Sequence, residues 1–326
     1  MRIGILSRNR SLYSTRRLAE AARQRGHNVS IIDTVTVAVE VGGDKEGEEK
    51  IKVVNPRLAA LVPLLRGKYQ NGVIQLPAVD AIIPRIGARI TYYGLAVVRQ
   101  FETRGVLTTA ASQAIAQSRD KLHSLQIMNQ AGLPIPKTAV VNQPTALISA
   151  VQAVGGPPVI IKLIRGTQGR GVILARNLST AEAVLGKLKE LKRKALVQEF
   201  VAEAQGKDQR IIVVGDRCVA AMERSASDGE FRANLHLGGT AVPYTPDKAT
   251  EALALAATRA HGLGVAGVDI IHSSRGPLLL EVNSSPGLEG IEQVTQIDIA
   301  TEIIRFLEQS AVRKKRPSSR KHKRGR

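Results

Sequence analysis

Two carboxylates and an amide stand where an apolar pattern would place none. In GVDIIHSSRGPLLLEVNSSPG (267–287), Asp269 and Glu281 interrupt aliphatic runs, and Asn283 follows Glu281 at a spacing of two. The segment predicts two antiparallel strands joined at HSSRG, and the spacing puts Glu281 and Asn283 on one strand face. Two carboxylates and an amide oxygen, without His or Cys, form a hard oxygen set suited to Mg²⁺ or Mn²⁺. A cross-strand hydrogen-bonded pair is the structural alternative. An acid inside LLLEVN, where an unpaired buried charge is expensive, favours the metal.

A second cluster offers positive charge. PPVIIKLIRGTQGRGV (157–172) reads as a strand delivering Lys162, followed at once by the loop GTQGRG (166–171). Glycines let a backbone approach a ligand and turn N–H groups toward an anion, and a strand lysine offers phosphate a point charge. The loop matches neither the P-loop nor GxGxxG and by itself reads as an ordinary β-turn. Lys162 shifts that balance, because a buried ammonium needs an anionic partner. In EFRANLHLGG (230–239), Arg232 and Asn234 are placed on one strand face. There the arginine either neutralises phosphate charge in a cleft or lies solvated on an edge strand. His236 reads as a structural histidine. In LVQEFVAEAQGKDQR (196–210), Glu199 ends an apolar strand and Asp208 follows a loop. Alone, these two are ordinary loop acids.

Positioning such side chains requires strands and helices in a definite order. RIGIL (2–6), a helix from Leu12 to Arg25 ended by Gly26, and NVSIIDT (28–34) predict a parallel βαβ opening. AVDAIIPR (78–85) reads as a further core strand, TYYGLAVVRQFETRG (91–105) as a helix, and DKEGEEK (44–50) as a charged loop. RDKLHSLQIMNQAG (119–132) predicts a helix capped by Ser118 and ended by Gly132. Strand and helix patterns then alternate in pairs. The boundaries that follow are an α/β domain at 1–118, a small α+β lobe at 119–198, a larger lobe at 199–309 and a basic, disordered tail at 310–326.

The 326 residues suffice for two or three domains, and with 43% hydrophobic residues but 3% aromatics and no Trp the core rests on aliphatics. No apolar run approaches the ~20 residues that span a bilayer, and MRIGILSRNR is too short in apolar residues for a secretory signal. The expectation is a cytoplasmic protein without a membrane partner. The lone cysteine, Cys218, sits in a strand-like run and reads as a buried small hydrophobe, and no histidine spacing suits catalytic zinc. The net charge is +19, and nine Lys or Arg without one acid fall between Arg313 and Arg326. Such charge favours acidic or phosphorylated partners, and the tail suits non-specific RNA contact.

Taken together and in order, these segments resemble the ATP-grasp superfamily, specifically the RimK-type α-L-glutamate ligases. ILSRNRSLYSTRRL, PRIGARITYYG, RDKLHS, KLIRGTQGRGV, VQEFVAEAQGKD, FRANLHLGG, AGVDII and EVNSSPGLEGIE carry the resemblance from residue 1 to about 309. It implies a pre-ATP-grasp domain followed by a two-lobed ATP-grasp domain. Carried over by motif, Lys121 and Lys162 contact the phosphates of ATP, Glu199 and Phe200 lie at the adenine edge, and Asp208 holds the ribose. Arg232, Ala233 and Asn234 form a second strip beside the nucleotide, with Arg232 stabilising the oxyanion, while Asp269, Glu281 and Asn283 bind two Mg²⁺ or Mn²⁺ ions. Phe200 stands where tyrosine is common in the family. The implied substrates are L-glutamate and an acidic protein C-terminus, that of a small-subunit ribosomal protein, with ribosomal RNA as a contact for the tail. A ligase acting on a small molecule and an RNA-binding protein with a vestigial ATP site stay open as alternatives, as does a homo-oligomeric state.

Overall fold

The computed structural model describes residues 1–39, 51–53, 69–70, 73–75, 78–140, 147–163, 171–190, 194–227, 230–233 and 238–315. They group into two compact units, one of 1–85, 96–109 and the segment from Ala300, the other of 86–95 and 110–299.

The first unit opens as β1 (Arg2–Leu6), α1 (Tyr13–Gln24) and β2 (Asn28–Ile32). Short strands β3 (Val37–Val39), β4 (Ile51–Val53), β5 (Tyr69–Gln70) and β6 (Val73–Gln75) make an antiparallel sheet in the order β3-β4-β6-β5. β7 (Ala81–Pro84), α2 (Thr91–Thr103) and β8 (Leu107–Thr108) follow. The main sheet runs β2-β1-β7-β8 and is parallel throughout. A strand covered on both faces must be apolar on consecutive residues, and Ile3, Ile5 and Leu6 of β1 are buried with Ala81, Ile82 and Ile83 of β7. Leu18, Ala21 and Ala22 bury one face of α1 at the expected helical spacing. The charged loop expected at 44–50 lies outside the described residues.

The second unit begins with α3 (Ser112–Arg119) and α4 (Lys121–Gln130). The helix expected over 119–132 is α4, which starts two residues later, and its cap differs from the sequence expectation. Ser118 lies inside α3, where its hydroxyl donates to the Ile115 carbonyl at 3.1 Å. Asp120 caps α4 instead, accepting from the Leu122 and His123 N–H groups at 3.1 Å each. α4 starts at Asp120 because its carboxylate satisfies two orphan donors there, whereas the Ser118 hydroxyl, two residues earlier, is turned back to Ile115. Gly132, at φ 67°, terminates α4 as anticipated.

Next come β9 (Thr138–Val140), α5 (Leu147–Ala153), β10 (Val159–Leu163), β11 (Val172–Ala175), α6 (Leu178–Glu190) and β12 (Ala195–Glu199). They form an antiparallel sheet in the order β11-β10-β12-β9, whose core of Val151, Val159, Ile161, Leu185 and Val197 joins one sheet face to α5 and α6. The second sheet uses β13 (Lys207–Val214), β14 (Arg217–Ser225), β15 (Thr240–Pro243), β16 (Val265–Ser273) and β17 (Gly276–Asn283), with α7 (Lys248–Ala260) between β15 and β16. Its order is β15-β14-β13-β16-β17, antiparallel at every pairing, so the two strands joined at HSSRG are present. Gly267 on β16 admits the returning chain, since a Cβ there would lie 2.8 Å from Pro286 Cβ.

α8 (Glu289–Thr295) and α9 (Ile299–Lys315) complete the chain. Helix therefore runs through 310–315, six residues assigned to the tail by sequence. Ile303, Ile304 and Leu307 bury one face of α9, Glu308 pairs with Arg25 and His27 at 2.7 and 2.8 Å, and beyond 309 the Lys314 ammonium donates to the Gly105 carbonyl. Likewise 86–95 and 110–118, placed by sequence in the first domain, pack in the second unit. Among the described residues no helix is long and apolar enough to cross a membrane. Replacing Asp120 by Ala is expected to lower unfolding stability by about 1 kcal/mol, read from the urea midpoint.

Candidate active site

Alternation along β10 decides where Lys162 points. Val159 and Ile161 face α5 and α6, so Ile160 and Lys162 face the other way, as do Leu196 and Gln198 on β12. These four line a cavity of about 200 Å³ inside the second unit, and residues of the five-stranded sheet line it too. Lys121 reaches it from the first residue of α4. Burial pushes the Lys162 ammonium below the ordinary lysine value, Glu281 pulls it back up, Lys121 pushes it further down, and Asp269 and Asp208 pull it up. Three carboxylates thus surround Lys162, yet among the described residues none forms an ion pair with it.

Asp208, Asp269 and Glu281 come from three strands whose register brings them together. Asp208 stands opposite Arg224, Arg210 opposite Asp269, and Asp269 opposite Glu281. Arg224 clasps Asp208 through Nε at 2.6 Å and Nη2 at 2.8 Å, and its Nη2 also approaches Asp269 at 3.3 Å. Arg210 clasps Asp269 at 2.7 and 2.6 Å. Burial alone would raise the Asp269 carboxyl, but Arg210 and Arg224 outweigh it and hold it below the usual carboxylate value.

Glu281 departs from the expectation built on LLLEVN. It is exposed, not buried. β17 is an edge strand whose register shifts between Asp269 and Ile270, and this acid in an apolar run lines the cavity rather than the core. Asn283, two residues on, has its amide nitrogen buried without a hydrogen-bond partner. Turning the amide by 180° would convert that orphan donor into an acceptor on the strand of Glu281. An ionised carboxylate has about four acceptor sites, so Asp269 retains capacity beyond its arginines. The donor set of two carboxylates and one amide therefore fits a hard divalent ion, although among the described residues no three His, Cys, Asp or Glu stand close enough to hold a metal ion by themselves.

Glu199 and Phe200, at the end of β12, line the same cavity, as do Arg232 and Ala233. Glu199 accepts from the Lys137 N–H at 2.8 Å and pairs with Arg275. Residues 230–233 are irregular, so the strand face expected for Arg232 is absent there, and Asn234, with His236 and the loop at 166–170, lies outside the described residues. Arg232 is instead held by Glu230, at 3.0 Å through Nε and 2.6 Å through Nη2, with its guanidinium 5.5 Å from the Phe231 ring centre. Sequence reasoning missed Arg210, Arg224 and Glu230; an arginine inside the apolar run CVAAMERS was the available signal for Arg224. It also missed Ser124, a cavity residue hydrogen-bonded at 2.8 Å to the buried His261, whose other ring nitrogen meets the Ala257 carbonyl. Cys218 is half-buried, and burial pushes its thiol up to about 11, which leaves it unreactive.

A family model described as the RimK-like ATP-grasp domain matches residues 118–307, and one described as the RimK PreATP-grasp domain matches 1–63 and 67–115. The chain belongs to the RimK family. A relative from Vibrio cholerae serotype O1, described as a probable alpha-L-glutamate ligase, is 47% identical over 317 residues, 97% of this chain and 98% of its own length. One from Shewanella loihica with the same description is 48% identical over 311 residues, 95% and 96% of the two chains. Among solved structures, a RimK domain ATP-grasp protein from Sphaerobacter thermophilus matches with a TM-score of 0.69 at 21% identity, covering 94% of this chain and 99% of that one. The ATP-grasp ligase PsnB, with a precursor variant, Mg and ADP, matches at a TM-score of 0.66 and 20% identity, covering 94% and 97%. The macrocyclase MdnC from Microcystis aeruginosa, bound to precursor peptide MdnA, matches at 0.69 and 16% identity, covering 95% and 100%. At such identities the structural likeness speaks for the fold alone. RimK membership makes the chain an ATP-dependent carboxylate–amine ligase of the ATP-grasp class.

In this RimK-family chain the Glu230 carboxyl is pulled down to about 2, first by its hydrogen bond from Arg232, with burial opposing and the Phe231 and Arg232 N–H groups adding. A depressed carboxyl stabilises above its unfolded value, so this contribution is complete above pH 4.5 and is lost as pH falls through about 2. Arg232→Ala is expected to move the Glu230 midpoint up toward 4.5, read by carboxyl NMR titration.

Proposed function

We propose that this ligase joins L-glutamate to the C-terminal carboxylate of an acidic protein tail, that of a small-subunit ribosomal protein, using ATP in the cytoplasm. The carrying observation is the meeting of Lys121 and Lys162, from separate elements, with the cross-strand carboxylates Asp269 and Glu281 in one cavity. The relatives' description as probable alpha-L-glutamate ligases supports glutamate as the amine. PsnB and MdnC, both solved with precursor peptides, support a peptide acceptor over a small molecule, and a net charge of +19 favours an acidic one.

In this reading Lys121 and Lys162 draw the phosphates into the cavity. Glu199 and Phe200 meet the adenine edge, Asp208 the ribose, and Arg232, Ala233 and Asn234 flank the nucleotide. Asp269, Glu281 and Asn283 would hold two Mg²⁺ or Mn²⁺ ions, which would supply charge neutralisation for the phosphates. The acceptor carboxylate attacks the γ-phosphorus in line and expels ADP, and the neutral glutamate amine then displaces inorganic phosphate from the acyl-phosphate, giving up a proton as the amide forms. Arg232, steadied by Glu230 over Phe231, offers its charge to the oxyanion of that second step. No nucleophilic side chain is required.

Incubating the protein with ATP, Mg²⁺, labelled glutamate and cell extract is expected to label a ribosomal protein; label confined to a small molecule would refute the acceptor. Glu281→Ala is expected to abolish turnover with the fold intact by circular dichroism. Lys162→Ala is expected to weaken ATP binding roughly ten- to a hundredfold by calorimetry, the loss of one charge-assisted contact, with incomplete rescue by Lys162→Arg.

The basic segment 313–326 acts in this reading as an electrostatic tether to ribosomal RNA. Because α9 extends to Lys315, truncation after that residue preserves the helix. It is expected to flatten the salt dependence of ribosome binding and leave ligation of a short acidic peptide unchanged.

A further inference from the structure

We infer that Arg224 is a positioning residue that couples the nucleotide side of the active site to its metal side. The inference rests on the reading above, in which Asp208 serves the nucleotide and Asp269 the divalent ion. Arg224 is 4% exposed, lines the cavity, and touches both carboxylates. Its guanidinium plane is spent on Asp208, to which it binds through two nitrogens, while one of those nitrogens reaches across to Asp269 at 3.3 Å.

This geometry makes the two aspartates interdependent. Asp208 and Asp269 sit on neighbouring strands, β13 and β16, and both turn to the cavity, so without a cation between them they would repel across a desolvated space. Asp269 has a second clasp from Arg210. An ion arriving at Asp269 takes over part of the neutralisation that Arg224 supplies, which strengthens the hold of Arg224 on Asp208 and fixes that carboxylate where the nucleotide meets it. Arg224 thereby transmits the state of one carboxylate to the other. By linkage the effect is reciprocal: the ion tightens nucleotide binding by the same factor that the nucleotide tightens ion binding. A lysine cannot replace it, because a point charge lacks the fork that spans two carboxylates.

The test uses the full chain, ADP and Mn²⁺. Calorimetry gives ADP affinity with and without Mn²⁺, and electron paramagnetic resonance of free Mn²⁺ gives ion affinity with and without ADP. The ratio in either direction is the coupling factor. Arg224→Gln is expected to cut that factor about tenfold, within the range of site-to-site couplings, and Arg224→Lys to leave it similarly low. A residue that only braced the sheet would lower the urea midpoint and leave the factor unchanged. Should Arg224→Gln fail to fold, Arg224→Lys decides. A coupling factor retained in a folded Arg224 variant overturns the inference. Asp208→Asn and Asp269→Asn separate the two levels. If they leave ADP and Mn²⁺ binding intact, the site reading falls and takes the inference with it; if they weaken binding while the Arg224 variants keep the coupling, only the inference falls.

Discussion

The register of the five-stranded sheet is the constraint on which the site depends. β13 carries Asp208 and Arg210 on one face and Ile211 and Val213, both fully buried, on the alternating positions. Opposite Asp208 stands Arg224, and opposite Arg210 stands Asp269, so each charge meets its complement across a single strand pairing. A slip of one residue would turn these charges into the apolar face and the aliphatics into the cavity. The penalty for a desolvated charge without a partner is several kcal/mol, comparable with the whole stability of a domain. The ionic pairs therefore specify register more than they add stability.

The smaller sheet solves a different problem with the same period of two. Its outer face is committed to α5 and α6 through Val159, Ile161 and Val197, which leaves Lys162 the one charged residue of β10 and aims it into the cavity. Carboxylates nearby offset its desolvation without clasping it. An ammonium held in this way is attracted to incoming phosphate without first breaking an ion pair, whereas Arg210 and Arg224 are already engaged. This division between an uncommitted lysine and committed arginines fits a site in which the lysine binds and the arginines hold the carboxylates in place. Arg232 is intermediate: its clasp by Glu230 is local, between residues two apart, and part of it is open to solvent.

The periodicities were legible in the sequence wherever local chemistry decided them. The βαβ opening, the paired strands around HSSRG and the alternation of strand and helix after residue 137 follow from apolar spacing and from turn residues, which act within a few positions of chain. The co-linear motifs identified the family and singled out Lys121, Lys162, Glu199, Phe200, Asp208, Arg232, Ala233, Asp269 and Glu281, all of which line one cavity.

What tertiary structure alone decided was the partnership of charges. Nothing within CVAAMERS says that Arg224 will lie opposite Asp208, sixteen residues away, or reach Asp269 on another strand, because register is a property of paired strands and not of either one. Glu281 is exposed on β17, an edge strand with a bulge in its pairing, so an apolar neighbourhood in sequence misjudged its burial. The reach of α9 to Lys315 was hidden by its basic residues, since local charge suggested a solvated tail while the buried Ile303, Ile304 and Leu307 face anchored the helix preceding it. Local propensity and spacing were thus set by the sequence by itself. Burial, register and the choice of ionic partner waited on which strands came to lie side by side, because those depend on contacts between residues far apart in the chain.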